Sequence, residues 1–175
     1  MRPVVGIDPS LTATGVCGAG LPFTVPTSPT GSAIAERLGR IQGIAGHIAN
    51  STPWAALVVI EGPSFGPQNR AGQAHLRAGL WWHIAATMTA RACDLVEVPP
   101  ATLKKFATGK GNATKADMRM ALYKRAELDI ADDNQVDAWW LLQVGLHLLE
   151  NPMAIALPKD QLAVISPLLR QLPAT

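Results

Sequence analysis

Apolar positions along the chain fall into short runs of the strand type and longer stretches of helical period. Val4 to Val16, VVGIDPSLTATGV, opens with an apolar run that stops on Asp8. It breaks at Pro9-Ser10 and returns through a Thr/Gly-rich segment into a second short run, which predicts a strand and a hairpin partner beside it. Leu21 to Pro29, rich in Pro and Thr, reads as an edge strand with its turn. From Gly31 to Asn50, Ile34, Leu38, Ile41, Ile44, Ala45 and Ile48 recur at helical spacing, with Arg37 and Arg40 off that stripe. Ala55 to Ile60 is an almost unbroken apolar run, the pattern of a strand covered on both faces, and it stops at Glu61-Gly62-Pro63.

Ser64 to Asn69 reads as a loop with one aromatic, Phe65. Arg70 to Cys93 is again helical and carries Trp81 and Trp82, a pair better explained by core or subunit packing than by base stacking. Leu95 to Val98 predicts a short strand closed by Pro99-Pro100. Thr102 to Ala107 predicts a helical turn, Thr108 to Ala113 a Gly-rich loop, Thr114 to Ala126 a basic helix, and about Asp133 to Glu150 a long apolar helix. The order indicates an α/β sheet with an antiparallel hairpin at one side and helices on both faces. One domain over residues 1–151 is expected. The tail over 152–175 holds Pro152, Pro158, Pro167 and Pro173 around one short amphipathic helix, and is expected to pack on that domain.

Composition narrows the class. A hydrophobic content of 48% against 16% charged residues excludes a disordered chain. Asp137, Gln143 and His147 interrupt the best candidate for a membrane span, and with no apolar leader before the first strand a cytoplasmic location is expected. Cys17 and Cys93, far apart, read as small core residues. The net charge of +2 conceals a segregation: Pro99 to Arg125 holds seven basic residues against the single acid Asp117, a balance of +6. The next stretch, Ala126 to Asp137, holds five acids and no base. A basic wall beside an acidic pocket suits an enzyme that holds a polyanion and collects a divalent metal.

The chemistry resides in those acids. Asp8 taken alone is either a turn-forming residue before proline or a charge at a strand exit that needs a cation or a set of donors. Glu61 repeats the geometry at the end of a second strand, and two adjacent parallel strands would set both carboxylates at one rim. In ADDNQVDAWWLL, capping and the helix dipole account for Asp132 and Asp133 but not for Asp137, which is flanked by Val136, Ala138, Trp139 and Trp140. Oxygen-only ligands of this kind suit Mg²⁺ or Mn²⁺, and two such ions about 4 Å apart serve phosphodiester hydrolysis.

GIDPSLTATGV, the strand ending in Glu61, the basic run LKKFATGKGNATKADM and the final DNQVDA, in that order, resemble the RuvC family of Holliday-junction resolvases. The resemblance spans roughly Val4 to Leu149. It implies a ribonuclease H-like mixed five-stranded sheet and a homodimeric endonuclease, dependent on two Mg²⁺ per site with Mn²⁺ as substitute, that cuts four-way or other branched DNA. Asp8, Glu61 and Asp137 match the family's metal-binding carboxylates, and Lys104, Lys105, Lys110 and Lys115 its DNA-contacting segment. Phe65 is the candidate for an aromatic inserted at the junction centre, with Arg70 as a further DNA contact. One position departs: the family sets its last two acids three residues apart, where this chain has Asn134. Asp133, one helical turn before Asp137, is expected to complete the set, because a hard cation prefers an anionic oxygen.

Other classes fit less well. Sugar-kinase and actin-like ATPases share the opening strand, Asp and Gly/Thr hairpin but need two such domains, and Gly109-Lys110-Gly111 lacks P-loop spacing, so no nucleotide cofactor is expected. An RNA/DNA-hybrid nuclease and a junction binder that does not cut stay open. Dimer contacts are expected from the Arg70 to Cys93 helix, through Ala74, Ala78 and Gly79.

Overall fold

The computed structural model describes residues 1–63 and 71–173, without the side chains of 71–73. Three strands run as an antiparallel meander: β1 (Val4–Asp8), β2 (Ala13–Cys17) and β3 (Phe23–Pro26). After helix α1 (Ile34–Ser51), β4 (Leu57–Glu61) joins the other side of β1 in parallel. Helix α2 (Ala71–Ala90) then leads to β5 (Asp94–Val98), parallel to β4. The sheet order β3-β2-β1-β4-β5 is the mixed five-stranded arrangement the sequence predicts. Helices α3 (Pro100–Thr108), α4 (Lys115–Ala126) and α5 (Asp133–Leu148) follow. The tail forms α6 (Lys159–Ala163) and a 3-10 helix, Ser166–Gln171, where one helix was expected.

Two apolar layers sandwich the sheet. On one face Val5, Ile7, Val58 and Ile60 meet Ile41, Ile44, Ile48, Leu80 and Ile84 of α1 and α2. On the other, Val4, Leu57, Val59, Val96 and Val98 meet α5, which is buried almost all round because α3, α4 and the tail cover its outer side. That accounts for the apolar run of α5, which shows no polar face in sequence.

Strand alternation decides what reaches the α5 side of the rim. Val4, Gly6 and Asp8 share one face of β1, and Leu57, Val59 and Glu61 the same face of β4. With Ile7 opposite Ile60 in a parallel ladder, the next step sets Asp8 beside Glu61. Two glycines let α5 come down onto this surface. A Cβ on Gly6 would overlap the Ala138 carbonyl, and one on Gly15, the β2 partner of Asp8, would overlap the Asn134 carbonyl. The N-terminal turn of α5 therefore lies directly over the carboxylate ends of the strands.

The far flank of the sheet is closed by the tail. Ile165 and Leu168 enter the same apolar cluster as Val98. The Gln171 side chain accepts from the Glu97 backbone N–H at 2.8 Å and donates to the Glu97 carbonyl at 3.1 Å. Among the described residues no helix is long and apolar enough to cross a membrane.

Candidate functional site

Three elements bring acids to one rim: β1 supplies Asp8, β4 supplies Glu61, and α5 supplies Asp133 and Asp137. Asp8 is only 7% exposed. Its carboxyl is raised well above the ordinary value by burial first, then by the charges of Glu61 and Asp137 and by a hydrogen bond shared with Glu61, while Lys115 opposes the shift. Burial also raises Glu61, against the hydrogen bond from Asp8 and the charges of Lys104 and Lys115. Both carboxyls of this pair are raised, with burial as the largest cause for each. Asp137 is pushed up to about 7 by burial first and by Glu61 and Asp133, with Lys115 and Lys104 opposing. Asp8 and Asp137 each feel the charge of other acids of the rim, which is the electrostatic signature of convergence.

The N-terminus of α5 separates neighbouring acids by role. Asp132 is the N-cap: its Oδ1 accepts from the backbone N–H of Asn134 at 2.9 Å and of Gln135 at 3.4 Å. Its Oδ2 accepts from the Thr24 hydroxyl at 2.6 Å, and Thr24 in turn accepts from Gln135 Nε2. Burial would raise this carboxyl, but those bonds, with one from the Asn134 side chain, hold it below the usual range. Asn134 is thereby engaged with the cap, whereas Asp133 acts on Asp137. The acidic run of the sequence is consequently not one pocket. Glu127 terminates α4 in the left-handed region and Asp129 is exposed, leaving only Asp133 and Asp137 at the rim.

The lysines divide in the same way. Lys115 is held at the first position of α4 by a capping box, in which Thr114 Oγ1 accepts from the Asp117 N–H and Asp117 accepts from the Thr114 N–H. From there its Nζ lies 2.9 Å from Asp133 Oδ2, and that bond is the main cause of its raised pKa, with Asp137 and Asp8 adding to it. Lys104 on α3 acts on Glu61 and Asp137. Lys105 and Lys110 are exposed, and Lys110 acts on Asp117 at the start of α4. Sequence reading grouped all four as DNA contacts; the pairing of Lys115 and Arg119 with Asp133 was missed. The i, i+4 spacing of those two cations was its only trace. Phe65 and Arg70 lie outside the described residues. Ala74, Ala78 and Gly79 of α2, expected at a dimer face, are exposed, with Gly79 in ordinary contact range of Ile41 on α1.

A divalent cation fits this donor set on chemical grounds. Burial raises Asp8, Glu61 and Asp137 beyond what Lys104 and Lys115 offset, all donors are oxygens, and Asp133 Oδ1 is buried without a hydrogen bond although Arg119 Nε lies 3.0 Å away. Among the described residues, however, no three Asp, Glu, His or Cys side chains close around one point as a finished cage. What the acids share here is a field, part of which Lys115 neutralises.

No protein-family model matches the chain, and none of the curated proteins gives a significant match. Solved structures do. T. thermophilus RuvC in complex with a Holliday junction substrate aligns over 86% of this chain and 98% of that chain, with a TM-score of 0.66 at 20% identity. The fold is RuvC-like. A second Thermus thermophilus RuvC structure aligns over the same shares, with a TM-score of 0.59 at 18% identity. The RuvC-like fold agrees with the five-stranded ribonuclease H-like architecture expected from the sequence. Within the RuvC-like fold, the β1–β4 rim and the first two turns of α5 carry all four candidate acids.

Proposed function

We propose that this protein is a structure-selective endonuclease that hydrolyses a phosphodiester in four-way or other branched DNA, acting as a homodimer with divalent metal, Mg²⁺ or Mn²⁺, at the carboxylate rim. The observation that carries the reading is the convergence of Asp8, Glu61 and Asp137 beneath the basic α3–α4 face of a RuvC-like fold. Asp8, Glu61, Asp133 and Asp137 would hold the metal. Bound there, a pair of ions supplies Lewis-acid activation of water and of the leaving oxygen.

The chain's own residues do the rest. Lys104 and Lys115 bring positive charge to the rim, where a phosphate must lie close to four acids that would otherwise repel it. Lys105 and Lys110, exposed on the α3 side, bind flanking phosphates and set the register of the strand. The apolar layers around α5 hold the rim rigid, so the acids do not disperse to relieve their repulsion. Two cuts related by symmetry require two copies of such a site, which is the reason for reading the active form as a homodimer.

The decisive experiment incubates the protein with a labelled four-way junction, a plain duplex and an RNA/DNA hybrid, side by side, with Mg²⁺ or EDTA. Paired nicks in the junction with Mg²⁺ alone are expected. Cleavage of the hybrid in preference would establish a ribonuclease H-type enzyme, and binding without cutting would establish a junction-binding protein.

A further inference from the structure

Helix α4 carries more than cations. Ala116, Arg119, Met120 and Tyr123 fall at i, i+3, i+4 and i+7 and form one stripe. On it Met120 and Tyr123 are 53% and 57% exposed. Glu127, at φ 56°, ends the helix in the left-handed region with its N–H bonded to the Tyr123 carbonyl at 2.9 Å. The chain then turns back so that Asp129 lines a groove of about 480 Å³ with the same stripe. Isolated exposed apolar side chains are ordinary, but a thioether and a phenol ring side by side in a groove with one cation and one carboxylate form a set with a shared use.

We propose that this groove is a nucleobase subsite, which takes one unstacked base of the DNA strand that enters the carboxylate rim. The inference deepens the branched-DNA reading and rests on it. Tyr123 and Met120 supply the stacking surface, which any base can use. Asp129 supplies an acceptor for an exocyclic amino group, so cytosine or adenine is favoured over thymine. Arg119 connects groove and rim, because it lines the groove while its Nε lies 3.0 Å from Asp133. Tyr123 stands eight residues from Lys115, about 12 Å along the helix, which is a few nucleotides at about 3.4 Å per stacked step. The α3–α4 stretch from Pro99 to Arg125, on which the stripe lies, carries a balance of +6, which favours a polyanion as occupant over an apolar face of a second copy.

The test uses the full chain and four-way junctions that carry a single 2-aminopurine at successive positions near the crossover, bound in EDTA. One position is expected to change fluorescence with the native protein and with Tyr123→Phe, but not with Tyr123→Ala. In Mg²⁺, Tyr123→Ala is expected to cut a junction pool of randomised sequence roughly tenfold more slowly and with a flattened base preference. Asp129→Ala is expected to lose the preference for amino-bearing bases. Identical fluorescence and identical cut-site preference in native protein and Tyr123→Ala would overturn the subsite. So would sedimentation showing that Tyr123→Ala splits a native dimer, since the stripe would then be a contact between copies. A native protein that cuts no DNA yet gives the Tyr123-dependent signal would keep the subsite and discard the nuclease.

Discussion

The Lys115 ammonium stands 2.9 Å from a carboxylate oxygen of Asp133, and its charge acts on Asp8, Glu61 and Asp137 as well. One cation at the first position of α4 thus serves a cluster of acids drawn from three other elements. Lys115→Ala is expected to bind Mg²⁺ several-fold more tightly, because a competing charge is gone. It should cleave on the order of a hundredfold more slowly, because a fixed charge near the scissile phosphate is gone too. Calorimetric titration and single-turnover cleavage check the two arms. Parallel loss in both would show that the lysine only maintains the fold.

Asp133 and Asn134 make opposite predictions. Asp133→Asn should reduce cleavage on the order of a hundredfold while junction binding and thermal stability persist. Asn134→Ala should leave cleavage within a few-fold of native, since its side chain serves the Asp132 cap. Normal cutting by Asp133→Asn beside an inactive Asn134→Ala would reverse the assignment.

Burial of the acids, together with their mutual repulsion, predicts how pH acts on the cation-free protein. The Asp137 carboxyl moves from 3.8 up to about 7, and Asp8 and Glu61 are also raised. Because the folded pKa exceeds the unfolded one, the contribution to stability is complete below about pH 4 and is lost as pH rises through about 7. In EDTA the melting temperature should therefore be higher near pH 5 than near pH 8, and Asp137→Asn should narrow that gap. Mg²⁺ should raise the melting temperature mainly near pH 8, since it binds the charged acids. A cation-free protein that melts higher at pH 8 would contradict the account.

Gly15 is where the backbone of α5 meets the sheet. Gly15→Ala would force the Asn134 carbonyl off β2, at a cost of about 3 kcal/mol, and lift Asp133 and Asp137 away from Asp8. Urea denaturation and cleavage should fall together. Native stability in this variant would show that the helix end has room to move.

Trp81 donates its indole N–H to the Glu61 carbonyl at 2.9 Å, a bond that fixes the end of β4 from the α2 side. Trp81→Phe keeps most of the packing and removes the donor, so a loss of about 1 kcal/mol and a modest fall in cleavage are expected. Trp82→Phe, on an exposed neighbour, should change neither.

What the sequence disclosed and what it withheld divide along a physical line. Asp8 and Glu61 were legible because a charge ending a buried strand violates the local pattern, and Asp137 because it interrupts an apolar helix. The strands and helices followed from periodicity, which is local. Lys104 and Lys115 were legible as cations but not as partners of the acids, since a long side chain can reach in several directions until the helix beneath it is docked. Trp81 and Gly15 act through contacts with residues distant in sequence, and composition around them gave no sign of it. The acidic stretch misled in the other direction: adjacency along the chain was read as one pocket, whereas a cap, a helix end and a turn disperse three of its five members.

The pairing of Gln171 with Glu97 gives the last residues a task unrelated to cutting. An unpaired strand flank is a template on which another extended chain can lay itself down. The two ends of one amide imitate the missing neighbour at Glu97, near the end of β5, and the apolar side chains of Ile165 and Leu168 hold it there. A chain shortened before Ser166 is therefore expected to recruit further strands and gather into β-rich assemblies while its acids remain intact. The guard of that flank is a glutamine outside the acid set of the rim.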